Sequence, residues 1–120
     1  MHSLLLFDVN EREIPVDALQ RVFQSVAGFQ QVRQNTPTGT PIEADYLEGQ
    51  DFTTVRLNSK RETISIRGTS GAALNAAWIL HRYLNIPLRM VDTEYSFDLI
   101  LSSFTNIEQL ESAIDEARAN

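Results

Sequence analysis

Four carboxylates fall within nine residues of this chain, Glu43, Asp45, Glu48 and Asp51, interleaved with Tyr46 and Gly49. A second group, Asp92, Glu94 and Asp98, surrounds Tyr95. Clustered acid can move protons, hold a hard cation or meet a basic partner. Proton transfer needs an acid and a base held in different environments, and the spacing singles out no such pair among the sixteen acidic residues. Around residues 92–98 the oxygen ligands suit Ca²⁺ or Mg²⁺, but the EF-hand spacing with its Gly and terminal Glu is missing. No metal, cofactor or catalytic residue is therefore expected. The third chemistry fits the residue types: carboxylates steer a cationic protein, and tyrosine adds an amphipathic anchor. The expected contact residues are Asp45, Tyr46, Glu48, Asp51, Asp92, Glu94, Tyr95 and Asp98. The plainer account of the same residues is a solvated edge strand whose charges prevent aggregation.

Other motifs are weaker. Gly68-Thr69-Ser70-Gly71 follows a strand pattern and precedes a helical one, which can cradle an anion on backbone N–H groups. It is neither a Walker loop nor a dinucleotide fingerprint, and Thr69 or Ser70 as an ordinary N-cap explains it. His2 is terminal, and His81 falls on an apolar helix as a structural histidine. The chain has no cysteine, which excludes disulfides, thiolate zinc sites and cysteine nucleophiles.

These side chains must be positioned by 120 residues, a one-domain length that can bury a core unaided. The hydrophobic and charged fractions, 42% and 22%, are those of a folded domain. A net charge of −6 repels phosphate backbones, so nucleic acid is not an expected partner, although Arg56, Lys60, Arg61 and Arg67 gather on the solvent side of one hairpin. The first eight residues lack the length and basic flank of a signal peptide. No run nears the roughly 20 apolar residues of a membrane span. A cytoplasmic location is expected.

Leu4 to Val9 reads as a central strand buried on both faces. Pro15 opens a helix whose stripe is Val16, Leu19, Val22, Phe23 and Val26, with Gly28 as its stop. Phe29 to Gln34 is a further strand, and two prolines make 35–41 a surface loop. From Ile42 the period becomes two. Thr53, Val55 and Leu57 share a face, Asn58 to Arg61 turns, and Ile64 and Ile66 point inward. The alanine-rich helix to Leu84 is the most buried, with Trp78 in the core. A second hairpin turns at Asp92-Thr93-Glu94, with Phe97, Leu99 and Leu101 on one face, and Thr105 with Glu108 caps a last helix. Helices are predicted near 15–28, 70–84 and 106–118.

The fold class is α+β in a single domain, 1–120: one mixed, largely antiparallel sheet of about five to seven strands, with three helices mainly on one face. The order is β-α-β-β-β-α-β-β-α. Thr63 to Val91 forms a βαβ unit with a right-handed crossing, and a ferredoxin-like core with an inserted hairpin is one version of the topology. The functional expectation is a small acidic protein-binding module of the inhibitor or immunity (antitoxin) type, which neutralises a basic toxin or nuclease. The alternative is a homodimeric small-molecule-sensing domain joined through Val91, Ile100 and Phe104. An enzyme with a dispersed site ranks third.

Overall fold

In the computed structural model, which describes residues 2–69 and 71–119, the alternation read from Ile42 onward becomes one antiparallel sheet. Its strands are β1 (Ser3–Asp8), β2 (Phe29–Gln34), β3 (Ile42–Glu48), β4 (Asp51–Leu57), β5 (Ile64–Arg67), β6 (Leu88–Asp92) and β7 (Asp98–Ile100), in the order β2-β3-β4-β5-β1-β6-β7. Helices α1 (Val16–Ser25), α2 (Ala72–Leu84) and α3 (Ile107–Ala119) and a 3₁₀ turn at Leu101–Ser103 complete the described residues. Strand β1 is central, as its apolar run suggests. It pairs antiparallel with both β5 and β6, which therefore run parallel to each other. The Thr63–Val91 unit is thus a split βαβ with β1 between its strands. By the same reasoning β1 and β4 are parallel with β5 between them, and the β2–β3 pair extends that side of the sheet. This is the ferredoxin-like β-α-β-β-α-β arrangement with an inserted hairpin.

One sheet face is covered by the helices and the other is not, although Val91, beside Leu5 on that second side, is still fully buried. Leu4, Leu6, Ile42, Ala44, Val55, Leu57, Ile64 and Ile66 turn to the helices and are fully buried. Their neighbours Leu5 and Phe7 are only half-buried, because no helix packs on their side, so β1 is buried on one face and not on both as its apolar run predicts. Helix α2 lies over β1, β3, β4 and β5. Ala72, Ala73, Ala76 and Ala77 face that contact, so its axis can approach the sheet closely, and Leu80 fills the space they leave. Trp78 sits at the core's margin rather than its centre, its ring 4.9 Å from that of His81. Asn85 in the left-handed conformation ends α2, and Pro87 prevents its continuation. Helix α3 joins the same core through Leu110 and Ile114.

Three local expectations are corrected. Helix α1 ends at Ser25, before Gly28. Gly28 has φ +103, and a Cβ there would stand 2.7 Å from the Tyr46 ring, so the glycine serves a close approach and not a helix stop. The cap of α3 is shifted by one residue. Gln109 N–H donates to Asn106 Oδ1 at 2.9 Å, and Gln109 Oε1 accepts from the Thr105 amide and hydroxyl, so Glu108 is not the capping partner. The second hairpin is shorter than its sequence pattern, because its outer strand ends at Ile100 in the 3₁₀ turn.

The sheet edges are blunted. Strand β2 carries a register shift between Gln30 and Arg33, with Gln31 at φ 54, and β7 has three residues. Any partner surface is therefore to be sought on the faces and helices.

Candidate partner-binding surface

The first acidic segment is largely consumed by the fold. The β3–β4 tip brings Asp51 to the start of α2, where Asp51 Oδ2 accepts the Ala72 N–H at 3.0 Å. Gly71 has φ +57, and a Cβ there would lie 2.5 Å from the same oxygen, so the glycine makes room for the carboxylate. The anion cradle read at residues 68–71 thus holds the chain's own Asp51, which meets the positive end of the helix. The cap comes from another strand rather than from Thr69; Ser70 lies outside the described residues. Glu48 accepts from the Asn75 side chain next door. Asp51→Ala should cost about 0.5–2 kcal/mol, the usual loss for a helix cap, and Asp51→Asn should retain most of it. Urea denaturation checks this, and an Ala midpoint equal to wild type would remove the capping role.

Tyr46 cannot anchor a partner. Alternation from Ile42 and Ala44 puts it on the helix-facing side, where its ring lies 4.9 Å from Phe29 and is buried. Burial, and then the charge of Glu48, raises its phenol pKa. Asp45 faces the open side and is already paired. Arg33 reaches it at 3.2 Å and the Thr54 hydroxyl at 3.1 Å. Beside it Glu43 is buried between Arg33, at 2.9 Å, and Arg56, at 3.2 Å. Burial pushes the Glu43 pKa up, but the hydrogen bonds from the two arginines outweigh it and leave the group below its ordinary value.

The second segment divides in the same way. Asp92 is buried, and it accepts the Ser96 amide at 2.7 Å and the Ser96 hydroxyl at 2.6 Å, closing the turn. Burial would raise its pKa, yet the Ser96 bonds and the Arg118 charge 3.7 Å away hold it low. Asp98 is bound by Arg89, whose Nε donates at 2.5 Å, and this bond depresses its pKa. Asp92 is thus structural and Asp98 is already paired. Glu94 and Tyr95 remain at the surface. His2 Nδ1 is 2.5 Å from Glu94, and Tyr95, at φ 55, is 69% exposed.

These depressed carboxylates set a pH dependence. Glu43, Asp92 and Asp98 bind fewer protons folded than unfolded as the pH drops past about 4. Their stabilisation is therefore complete above the ordinary carboxylate range and lost as the pH falls through the lower folded values. The urea midpoint should drop below about pH 4, and less steeply for Glu43→Gln. A midpoint that held or rose on acidification would contradict the assignment.

Among the described residues, exposed acid without an ion pair is found at Glu11, Glu13, Asp17 and Glu62, and it is also grouped on one helix outside the two predicted segments. Helix α3 exposes Glu108, Glu111 and Asp115, and among the described residues none of the three has a cationic partner. Glu111 and Asp115 are four apart, so they stack on one helix face as like charges, costing about 0.2–0.5 kcal/mol. Arg118 lines the same cleft as Glu111 and Asp115 but ion-pairs with Asp92, its guanidinium 5.4 Å from the Phe97 ring centroid. The signal was present in the run Ile107-Glu108-Gln109-Leu110-Glu111-Ser112-Ala113-Ile114-Asp115-Glu116, where the apolar stripe was read and the charge sign on the opposite face was not.

Helix α3 also joins the two predicted segments. Glu111 and Asp115 line a cleft of about 280 Å³ with Leu74 and Asn75, the residue that holds Glu48. At its other end Arg118 meets Asp92, the base of the turn that presents Glu94 and Tyr95. Val91 is fully buried and Phe104 half-buried, so of the three side chains expected to form an outward apolar patch only Ile100 is exposed. Among the described residues no group of three or more His, Asp or Glu could hold a metal ion, and no helix is long and apolar enough to cross a membrane. No family model, curated protein or solved structure matches this chain.

Proposed function

We propose that this is a binding module for a basic protein, of the inhibitor or antitoxin kind, and that α3 is the centre of its contact surface. The observation that supports this reading is the band of free carboxylates on α3, Glu108, Glu111 and Asp115, bordered by Glu48 on one side and by Glu94 with Tyr95 on the other. Like charges at i and i+4 weaken a helix, and a surface kept only for solubility can avoid them by mixing signs. Tyr95 supplies a large exposed ring at the edge of the band. Asp45, Tyr46, Asp51, Asp92 and Asp98 hold the scaffold that presents it.

The experiment uses the full chain and a Glu111→Lys/Asp115→Lys variant as baits in a lysate of the native host. A basic protein retained by wild type and lost by the variant is expected, and its toxic or nuclease activity should fall to zero at one equivalent of wild type. An acidic partner, or one held equally by both baits, contradicts the reading.

A second reading, a homodimeric small-molecule sensor, rests on the uncovered sheet face. There Leu47 and Phe52 are direct cross-strand partners and are 40% and 62% exposed. On this reading the chain sediments as a dimer and Phe52→Asp converts it to a monomer. A monomeric wild type removes it.

A further inference from the structure

We propose that the open sheet face carries a binding site for a small phosphate-bearing anion, built from Arg67 and Arg56 with the hydroxyls of Ser3 and Ser65. Ile64 and Ile66 turn to the core, so Ser65 and Arg67 turn the other way. Ser3 is the direct partner of Arg67 across β1 and β5, and Arg56 that of Ser65 across β4 and β5. Four side chains from three adjacent strands thus converge. With Thr54 they line a concave pocket of about 200 Å³ that no carboxylate lines.

The two arginines are held differently. Arg56 donates one amino group to Glu43, which orients it, and Glu43 is shared with Arg33. Arg67, among the described residues, has no acidic partner and no side-chain hydrogen bond. Arg12, Arg21, Lys60, Arg61 and Arg82 also lack an acidic partner among the described residues; Arg67 differs in lying in a hydroxyl-lined hollow beside a second arginine, poised for an external anion. The Thr54 hydroxyl is committed to Asp45 and forms the wall, whereas Ser3 and Ser65 have hydroxyls to donate. Guanidinium forks with flanking hydroxyls match the oxygens of a phosphate. On the same face Arg33 and Arg89 are paired with Asp45 and Asp98, and Arg12 lines a separate hollow beside Phe7 together with Glu11 and Glu62. Positive potential is therefore confined to one spot, which suits a single small anion and not the backbone of a nucleic acid.

The site lies on the face opposite α3, so its test is independent of the partner reading. Inorganic phosphate and methyl phosphate are titrated into the full chain at low ionic strength and followed by amide and Arg Nε chemical shifts. Saturable shifts at Ser3, Ser65 and Arg67 are expected. Tighter binding of methyl phosphate identifies a monoester as the ligand, and tighter binding of the inorganic ion identifies free phosphate. Arg67→Gln should weaken binding about tenfold to a hundredfold, the loss of one charged hydrogen-bonding group. Arg82→Gln, which removes the same charge from an exposed position on α2, should leave it unchanged. Both variants lie at the surface and are checked for wild-type melting. No saturable shift, or equal weakening by the two substitutions, overturns the proposal.

Discussion

Leu80→Ala should lower the unfolding free energy by about 2–5 kcal/mol, toward the upper end of that range. Leu80 is fully buried under α2, where the helix crosses the central strands. The cost of such a truncation depends on how far the surroundings can collapse into the space. Here the preceding turn offers only Ala76 and Ala77, which have no side-chain length with which to fill it, and of the next turn only Leu84 is buried beside it. Across the contact stand β-strands whose pairing fixes their positions. Domains of this size have about 5–15 kcal/mol in all, so the variant should be near the limit of folding. Tyr83→Ala on the same helix, 58% exposed, should stay within about 0.5 kcal/mol of wild type. Urea denaturation of the pair reads both. Equal midpoints for Leu80→Ala and wild type would show that α2 does not organise the core.

The elements were legible because their cause is local. Thr53, Val55 and Leu57 alternate in the sequence and are buried in the fold, as are Ile64 and Ile66. The stripe Leu19, Val22, Phe23 announced α1 in the same way. Even the fate of Tyr46 could be read, since the two-residue period from Ile42 and Ala44 carries it inward; its residue type drew attention away from its position. The fates of Asp51 and Asp92 could not be read. Asp51 caps a helix that begins 21 residues later, and Asp92 meets an arginine at the far end of the chain. Both contacts depend on strand order and helix placement, which local pattern does not encode. Acid at a sequence position therefore says little about acid at a surface. Asp51, Asp92 and Asp98, set among turn and strand residues, are drawn into a cap, a turn and an ion pair, whereas Glu108, Glu111 and Asp115 on α3 have no cationic partner among the described residues.

Reversing charge on that helix should have the largest effect on binding. Glu111→Lys/Asp115→Lys replaces attraction with repulsion at the centre of the proposed contact, without touching Leu110 or Ile114, which hold α3 to the core. Charge complementarity acts chiefly on encounter, raising association rates by about 10–1000-fold over neutral surfaces. The variant should lose most of that factor while its melting stays at the wild-type value. Tyr95→Ala should act on the other rate, because an exposed ring becomes buried only in the complex and its loss speeds dissociation.

The most direct measurement is the association rate of the captured partner with wild type and with Glu111→Gln/Asp115→Gln over a series of ionic strengths. Exposed charges are screened over about 8 Å in physiological salt, so the wild-type rate should fall steeply as salt is added. The neutralised variant should start lower and fall less, with a similar dissociation rate. Equal rates for the two proteins, or a wild-type rate indifferent to salt, would show that α3 is a solubility surface and not the site of partner capture.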